Sequence, residues 1–303
     1  MSVNLKVNIA GVEWKNPVTT ASGTFGFGKE YAEYFDLSRL GAVTVKSISS
    51  VPKAGNASPR VAETAAGMLN SVGLQNPGAE IFLKYELPNL RKFDVPIVVN
   101  IAGNTIDEYV EVAQMLGDQV DMLELNISCP NVKVGGMAFG VDPQSAFEAT
   151  SAVKKVAKCP LIVKLSPNVT DVAAIAEAVE SGGAGAVSLI NTLFGMKIDI
   201  KSRRPILANN FGGLSGPAVK PVAVRMVYQV AQRVKIPVIG MGGISSGADA
   251  IEFMLAGASA VAVGTAGFVD PYVWVRVISE IEEYLVANNI SDINDIIGKV
   301  EMN

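Results

Sequence analysis

The chain has 303 residues, 49% of them hydrophobic and 18% charged, enough to bury a large core as one α/β barrel or as two ordinary domains. Its net charge of −4, with no basic run, argues against nucleic acid as a partner. Histidine is absent and cysteine occurs twice, which removes Ser-His-Asp and Cys-His machinery, imidazole zinc sites and four-thiolate iron–sulfur clusters, so any redox chemistry needs a bound organic cofactor.

The start, Met1-Ser2-Val3-Asn4-Leu5-Lys6, lacks the charged-then-apolar pattern of a secretory signal. No segment reaches the ~18 uninterrupted apolar residues of a membrane span, and the expectation is a soluble, cytoplasmic protein. Leu5-Ile9 and Val12-Trp14 flank Ala10-Gly11 and read as a hairpin. Eight apolar, β-branched runs then recur: Val18-Ala21, Ala42-Lys46, Ile97-Ile101, Met122-Asn126, Leu161-Leu165, Ala186-Ile190, Val238-Met241 and Ala260-Val263. Helical patterns lie between and after them, most clearly at Asp107-Leu116, Pro143-Val156, Asp171-Ser181, Pro217-Val234, Ala248-Ala256 and Pro271-Ala287. Alternating units with near-continuous apolar strands mean a parallel sheet covered on its faces, and eight of them predict a single (β/α)8 TIM barrel over residues 1–303, with the hairpin on its floor.

Pro96, Pro160 and Pro237 each open a strand, where proline is tolerated, and so mark the bottom of the barrel. Cys159 falls at one of these entrances and reads as structural. Three segments, Ser49-Asn76, Ser128-Val141 and Asn191-Gly216, are longer than a plain βα loop and follow strand ends, which places them over the C-terminal face, where such insertions carry function.

The fourth strand runs into Asn126-Ile127-Ser128-Cys129-Pro130-Asn131. Pro130 denies the chain a further ladder donor and restricts Cys129, so the strand stops there and presents Cys129 at the ligand face. The other strand ends carry Ser22, Lys46-Ser47, Asn100, Lys164, Asn191-Thr192, Gly242-Gly243 and Gly264-Thr265. A lysine inside an apolar strand is costly without a partner for its charge, so Lys46 and Lys164 on one face suggest an anionic ligand. Glycine pairs after the last two strands suit a phosphate held by backbone N–H groups. No strict G-x-G-x-x-G opens a helix after a strand. One phosphate, Lys164 and the amides of Asn100 and Asn126 suit flavin mononucleotide (FMN), and a sugar phosphate would satisfy the same residues.

At Asn126-Ile127-Ser128-Cys129-Pro130-Asn131 the sequence resembles the dihydroorotate dehydrogenases. The resemblance spans the chain through Ala21-Ser22-Gly23, Val45-Lys46-Ser47, Asn70-Ser71-Val72-Gly73-Leu74-Gln75-Asn76-Pro77-Gly78, Val163-Lys164-Leu165-Ser166-Pro167, Ile190-Asn191-Thr192, Gly213-Leu214-Ser215-Gly216 and Gly240-Met241-Gly242-Gly243-Ile244. It implies oxidation of (S)-dihydroorotate to orotate, in pyrimidine synthesis, with FMN. Cys129 would be the general base. Lys46, Asn70, Ser71, Val72, Gly73, Leu74, Asn126, Asn191 and Thr192 would surround the substrate. Ser22, Lys46, Ser47, Asn100, Asn126, Lys164, Ile190, Gly216, Gly242, Gly243, Gly264 and Thr265 would hold FMN, and no metal is implied.

Cys129 in place of serine, and the absence of a membrane-associating extension, separate the chain from the quinone-using branch. The segments 22–28 and 130–136 resemble the NAD-linked branch, class 1 type B, which implies a homodimer core within a heterotetramer. A partner subunit bearing FAD and [2Fe–2S] would then relay electrons to NAD+. Two readings compete: the fumarate-using homodimeric branch, and a non-redox barrel with Lys164 as Schiff-base nucleophile. The second leaves Cys129 and the asparagines without a task.

Overall fold

The computed structural model describes residues 3–128 and 139–303. Eight strands make one parallel sheet: β1 (Val18–Thr20), β2 (Val43–Ile48), β3 (Ile97–Ile101), β4 (Met122–Asn126), β5 (Leu161–Lys164), β6 (Ala186–Leu189), β7 (Val238–Met241) and β8 (Ala260–Val263). Their spatial order is β1-β8-β7-β6-β5-β4-β3-β2, the sequential order of a (β/α)8 barrel. Every residue of β3 to β8 is buried, as required of strands covered inside and out.

The seam between β1 and β2 is stitched by side chains rather than by a regular ladder. Thr20 Oγ1 donates to the carbonyl of Thr44 at 2.8 Å and accepts the Thr44 N–H at 2.9 Å. Thr19 Oγ1 donates to the Ala42 carbonyl at 2.9 Å, and the Gly41 N–H reaches the Val18 carbonyl at 2.9 Å. Threonine suits this position because its branched side chain fits a pleated surface while its hydroxyl both donates and accepts. Further along, β2 slips by one residue against β3 between Val45 and Ile48. Such a bulge re-aims side chains, and Lys46 and Ser47 occupy it.

Six longer helices follow β3 to β8: Ile106–Leu116, Pro143–Val156, Val172–Ser181, Lys220–Ala231, Gly247–Leu255 and Val273–Ala287. Thr105, Asp142, Asp171 and Ser246 cap four of them, each accepting a backbone N–H from the first turn. The expected helix over 217–234 instead begins as a 3-10 turn, Pro217–Val219, and ends at Ala231. Between β1 and β2 the chain makes only 3-10 turns, and residues 79–90 form a further helical segment with a π turn at Phe82–Glu86. The N-terminal hairpin pairs Val7–Ile9 with Val12–Trp14 across Ala10-Gly11, both at positive φ, the geometry of a tight primed turn. A side-chain carbon at Gly185, the entrance to β6, would lie 2.8 Å from the Ala10 Cβ, which places the hairpin against the floor.

Two of the three insertions build a second sheet. Val61–Thr64, Gly67–Asn70, Gly212–Ser215 and Leu193–Gly195 pair antiparallel in that spatial order. The insertion after β2 is thus woven to the insertion after β6. Among the described residues no helix is long and apolar enough to cross a membrane.

Candidate functional site

A group of buried polar residues closes the tops of β3 to β6. Asn100 is fully buried, Glu124 is 3% exposed and Lys164 6% exposed. Asn100 and Glu124 are direct neighbours in register across β3 and β4, and Asn100 Nδ2 donates to Glu124 Oε2 at 2.5 Å. Ser188 Oγ on β6 donates to the other carboxylate oxygen at 2.6 Å. Asn100 Oδ1 is left buried with no donor among the described residues. That is an unmet acceptor at a strand end, where a ligand N–H or O–H would satisfy it.

Lys164, at the end of β5, lies beside Asn126 on β4 and Ser188 on β6. No ion pair involves it among the described residues. A buried ammonium group in that state favours an anion. Asn126 is held from three sides. Its carbonyl accepts the Tyr109 hydroxyl at 2.7 Å, and its Oδ1 accepts the Ser128 N–H at 3.2 Å and Asn191 Nδ2 at 3.4 Å. Ser128 Oγ donates to the Lys164 carbonyl at 2.9 Å, tying the start of the loop after β4 to β5. Cys129, expected as the base, lies outside the described residues, as does the segment through residue 138.

A second group gathers where β6, β7 and β8 end. Gly216, Gly242 and Gly243 all have positive φ. A side-chain carbon at Gly243 would lie 2.9 Å from the Gly216 carbonyl oxygen, and one at Gly242 would lie 3.1 Å from Ile190 Cγ1, so conformation favours glycine at both and space requires it at Gly243. Thr265 Oγ1 donates to Ser215 Oγ at 2.8 Å. At Gly264 an added carbon would lie 3.1 Å from the Ala21 Cβ, which brings buried Ser22 to the same rim. Residues 215–216, 242–243 and 264–265, far apart in the chain, thus form one backbone-rich cradle of the kind that takes phosphate.

The Lys220 ammonium beside it is committed elsewhere, to Asp249 Oδ1 at 2.8 Å and Glu252 Oε2 at 2.5 Å. Those two hydrogen bonds, Asp249 first, raise the lysine pKa. Burial pushes the Asp249 carboxyl upward, but hydrogen bonds from Lys220, Ser245 and Ser246 outweigh it and hold it below its usual value.

The expected substrate residues divide between the barrel and the second sheet. Asn70 ends a strand of that sheet and donates to the Gly213 carbonyl at 3.3 Å. A side-chain carbon at Gly213 would overlap Thr192 Oγ1, at 1.9 Å, so Asn70, Gly213 and Thr192 are stacked in one chain of contacts. Asn191 meets Asn126, as described. Ser71, Val72, Gly73 and Leu74 are held within their own insertion: Val72 accepts the Asn56 N–H at 3.0 Å, and Leu74, at φ 58°, accepts Asn76 Nδ2 at 2.7 Å. Lys46 is half-buried on the β2 bulge, and its N–H reaches the Gly26 carbonyl at 2.9 Å; Ser47 beside it is buried.

The family model described as "Dihydroorotate dehydrogenase" matches residues 4–285. The chain belongs to the dihydroorotate dehydrogenase family. The chain is 62% identical over 299 residues to "Dihydroorotate dehydrogenase B (NAD(+)), catalytic subunit" of Alkaliphilus metalliredigens (strain QYMF), covering 98% of this chain and 99% of that one. It is 58% identical over 301 residues to the protein of the same name from Thermoanaerobacter pseudethanolicus, covering 99% of this chain and 100% of that one. Among solved structures, DHODH from Eimeria tenella in complex with ferulenol superposes with a TM-score of 0.81 at 25% identity, covering 98% of this chain and 88% of that one.

Three residues that organise this region lie outside the strand-end pattern. Glu124 carries the signal that singled out Lys164, a charge inside an apolar strand. Tyr109, which holds Asn126, sits on a helix and looks like one more core aromatic. Asn168 donates to the Thr192 carbonyl at 3.0 Å and accepts the Phe194 N–H at 3.0 Å, shaping the loop after β6, and no pattern in the sequence marks it.

Proposed function

We propose that this chain is the catalytic subunit of an NAD-linked dihydroorotate dehydrogenase, a single FMN-binding barrel domain over residues 1–303. It would oxidise (S)-dihydroorotate to orotate in the cytoplasm, in pyrimidine biosynthesis. The observation that carries the reading is the pairing of a buried ammonium group without an ion pair among the described residues, Lys164, with an unmet buried acceptor, Asn100 Oδ1, at the top of a barrel of this family.

The residues fit FMN. Gly216, Gly242, Gly243, Gly264 and Thr265 would hold its phosphate, and Ser22, Lys46, Ser47, Asn100, Asn126, Lys164 and Ile190 its ring and side chain. FMN, when bound, supplies the hydride acceptor. Lys164 contributes a fixed positive charge in a site where solvent is scarce, which favours negative charge developing beside it. Lys46 would bind the substrate carboxylate, and Asn70, Asn126, Asn191 and Thr192 its ring amides, since side-chain amides both donate and accept. Ser71, Val72, Gly73 and Leu74 would complete the wall.

Cys129 would take the ring proton. A thiol of ordinary pKa ~8.5 is mostly protonated at neutral pH, so the rate is expected to rise with pH as the thiolate forms. The electrons would pass to a partner subunit bearing FAD and [2Fe–2S] and on to NAD+, in a heterotetramer around a homodimer of this chain; the names of the relatives support this branch.

The test is purification from the native source with its partner. A yellow complex reducing NAD+ with dihydroorotate is expected, and Cys129→Ala should slow flavin reduction by about 10²–10⁴-fold with FMN still bound. Flavin reduction unchanged in that variant would remove Cys129 from the chemistry. A colourless protein would favour the Schiff-base alternative, and a lone homodimer reducing fumarate would move the chain to the other soluble branch.

A further inference from the structure

The buried carboxylate of Glu124 has no role in the chemistry above, yet it sits at the centre of the site. Both of its oxygens are occupied by neutral donors, Ser188 Oγ and Asn100 Nδ2, and no ion pair involves it among the described residues. A carboxyl group kept in a core without a cation is unfavourable unless the arrangement serves something else. What it does to Asn100 is specific. An amide has one donor end and one acceptor end, and the two are nearly isosteric. A carboxylate only accepts, so it captures the NH2 end and leaves Oδ1 as the free end.

We infer that Glu124 is a positioning residue that sets the polarity of the cofactor site: it locks the Asn100 amide with its carbonyl oxygen turned to the ligand, so that the site accepts a ring N–H and rejects a ring carbonyl there. This rests on the flavin reading of the site. The isoalloxazine ring of oxidised FMN carries a single ring N–H, on its imide, flanked by two carbonyls. An acceptor at Asn100 therefore fixes the register of the ring edge, and a donor there would meet the wrong partner. Ser188 completes the lock from β6, so three strands share the task.

The experiment exchanges the two ends. In Glu124→Gln the arrangement that keeps an acceptor for the fully buried Ser188 hydroxyl has it donating to the new carbonyl oxygen, and the new NH2 then faces the Asn100 NH2. Asn100 relieves this by turning over, which presents a donor to the ligand. FMN binding to the apoprotein, measured by quenching of flavin fluorescence, is expected to weaken by about tenfold or more, the cost of one mispaired buried polar group. The paired variant Asn100→Asp/Glu124→Gln restores the pattern: the amide introduced on β4 donates to one oxygen of the carboxylate introduced on β3, and the other oxygen of that carboxylate is the acceptor, with the total charge of the pair unchanged. Its FMN dissociation constant is expected to return to within about fivefold of the original, since the buried donors and acceptors are again matched. Near-UV circular dichroism reports folding of each variant.

Wild-type affinity in a folded Glu124→Gln protein overturns the inference. So does a folded paired variant whose affinity stays as weak as that of the single one. If Glu124→Gln does not fold, the paired variant decides alone: folded and FMN-binding supports the inference, whereas loss of either shows Glu124 to be a packing requirement and overturns it. Failure of the wild-type apoprotein to bind FMN at all overturns the flavin reading, and the inference with it.

Discussion

At the scale of single residues, Cys159 is the cysteine that the described residues contain. Cys159, at the entrance to β5, has its thiol pushed up to about 11, first by burial and then by the nearby Asp121 carboxylate. At pH 8 about one thiol in a thousand there is ionised, and the thiolate is the nucleophile. Alkylation with iodoacetamide at pH 8, followed by peptide mass spectrometry, should therefore leave Cys159 essentially unmodified over an hour; rapid labelling of Cys159 would contradict the buried setting. The sign of the linkage follows. The unfolded chain releases this proton near pH 9 and the folded one near 11, so between those values the folded state binds more protons and loses stability as pH rises. The floor position of Cys159 is legible from the prolines that open three strands, Pro160 among them. Glu124 meets the same criterion as Lys164, a charged side chain in an apolar run, but lies inside its strand rather than at the end.

Among elements, the seam of the barrel is the most exposed to single changes. Thr20→Val is nearly isosteric, yet it strips the Thr44 N–H and carbonyl of their partner in a fully buried place. Two unmet backbone groups predict a loss of about 2–4 kcal/mol, read as a lower urea midpoint with the slope unchanged. Thr20→Ser, which keeps the hydroxyl, should cost less than half of that, and equal effects of the two would mean that packing rather than hydrogen bonding closes the seam. The strands themselves were legible because buried parallel strands are written as unbroken apolar runs, and prolines at 96, 160 and 237 mark where three begin. The second sheet was not. Val61–Thr64 and Gly67–Asn70 are four residues each and half-exposed, and their pairing is completed by Gly212–Ser215, more than 140 positions away. No local pattern encodes such a partner.

For the whole molecule, a single hydrophobic cluster runs from Val7 in the floor hairpin to Ile296 near the C-terminus. The final turn is joined to the start of the chain: the Asn4 N–H reaches the Ser291 carbonyl at 2.8 Å and the Ile293 N–H the Asn4 carbonyl at 2.9 Å. Trp14 lies in the hairpin and Trp274 on the last long helix, both fully buried, so each reports a different end of the fold. On the proposal of one domain over residues 1–303, Trp14→Phe and Trp274→Phe proteins followed by fluorescence should each show one thermal transition that coincides with that protein's own circular dichroism, as two-state unfolding requires. Separate transitions would divide the barrel. The alternation of eight units was enough to foresee this architecture, whereas the polarity of the site depends on which end of an amide faces inward, and residue order does not record that.

The weave of the two insertions bears on how such enzymes diverge. Because Asn70 hangs on Gly213, and Thr192 leaves no room for anything larger than glycine there, each insertion brings one local pair of strands and neither completes the four-stranded sheet alone. A chimaera that borrowed only the segment following β2 from a distant relative would arrive without its mate. A chimaera that takes both segments together should keep the shared sheet.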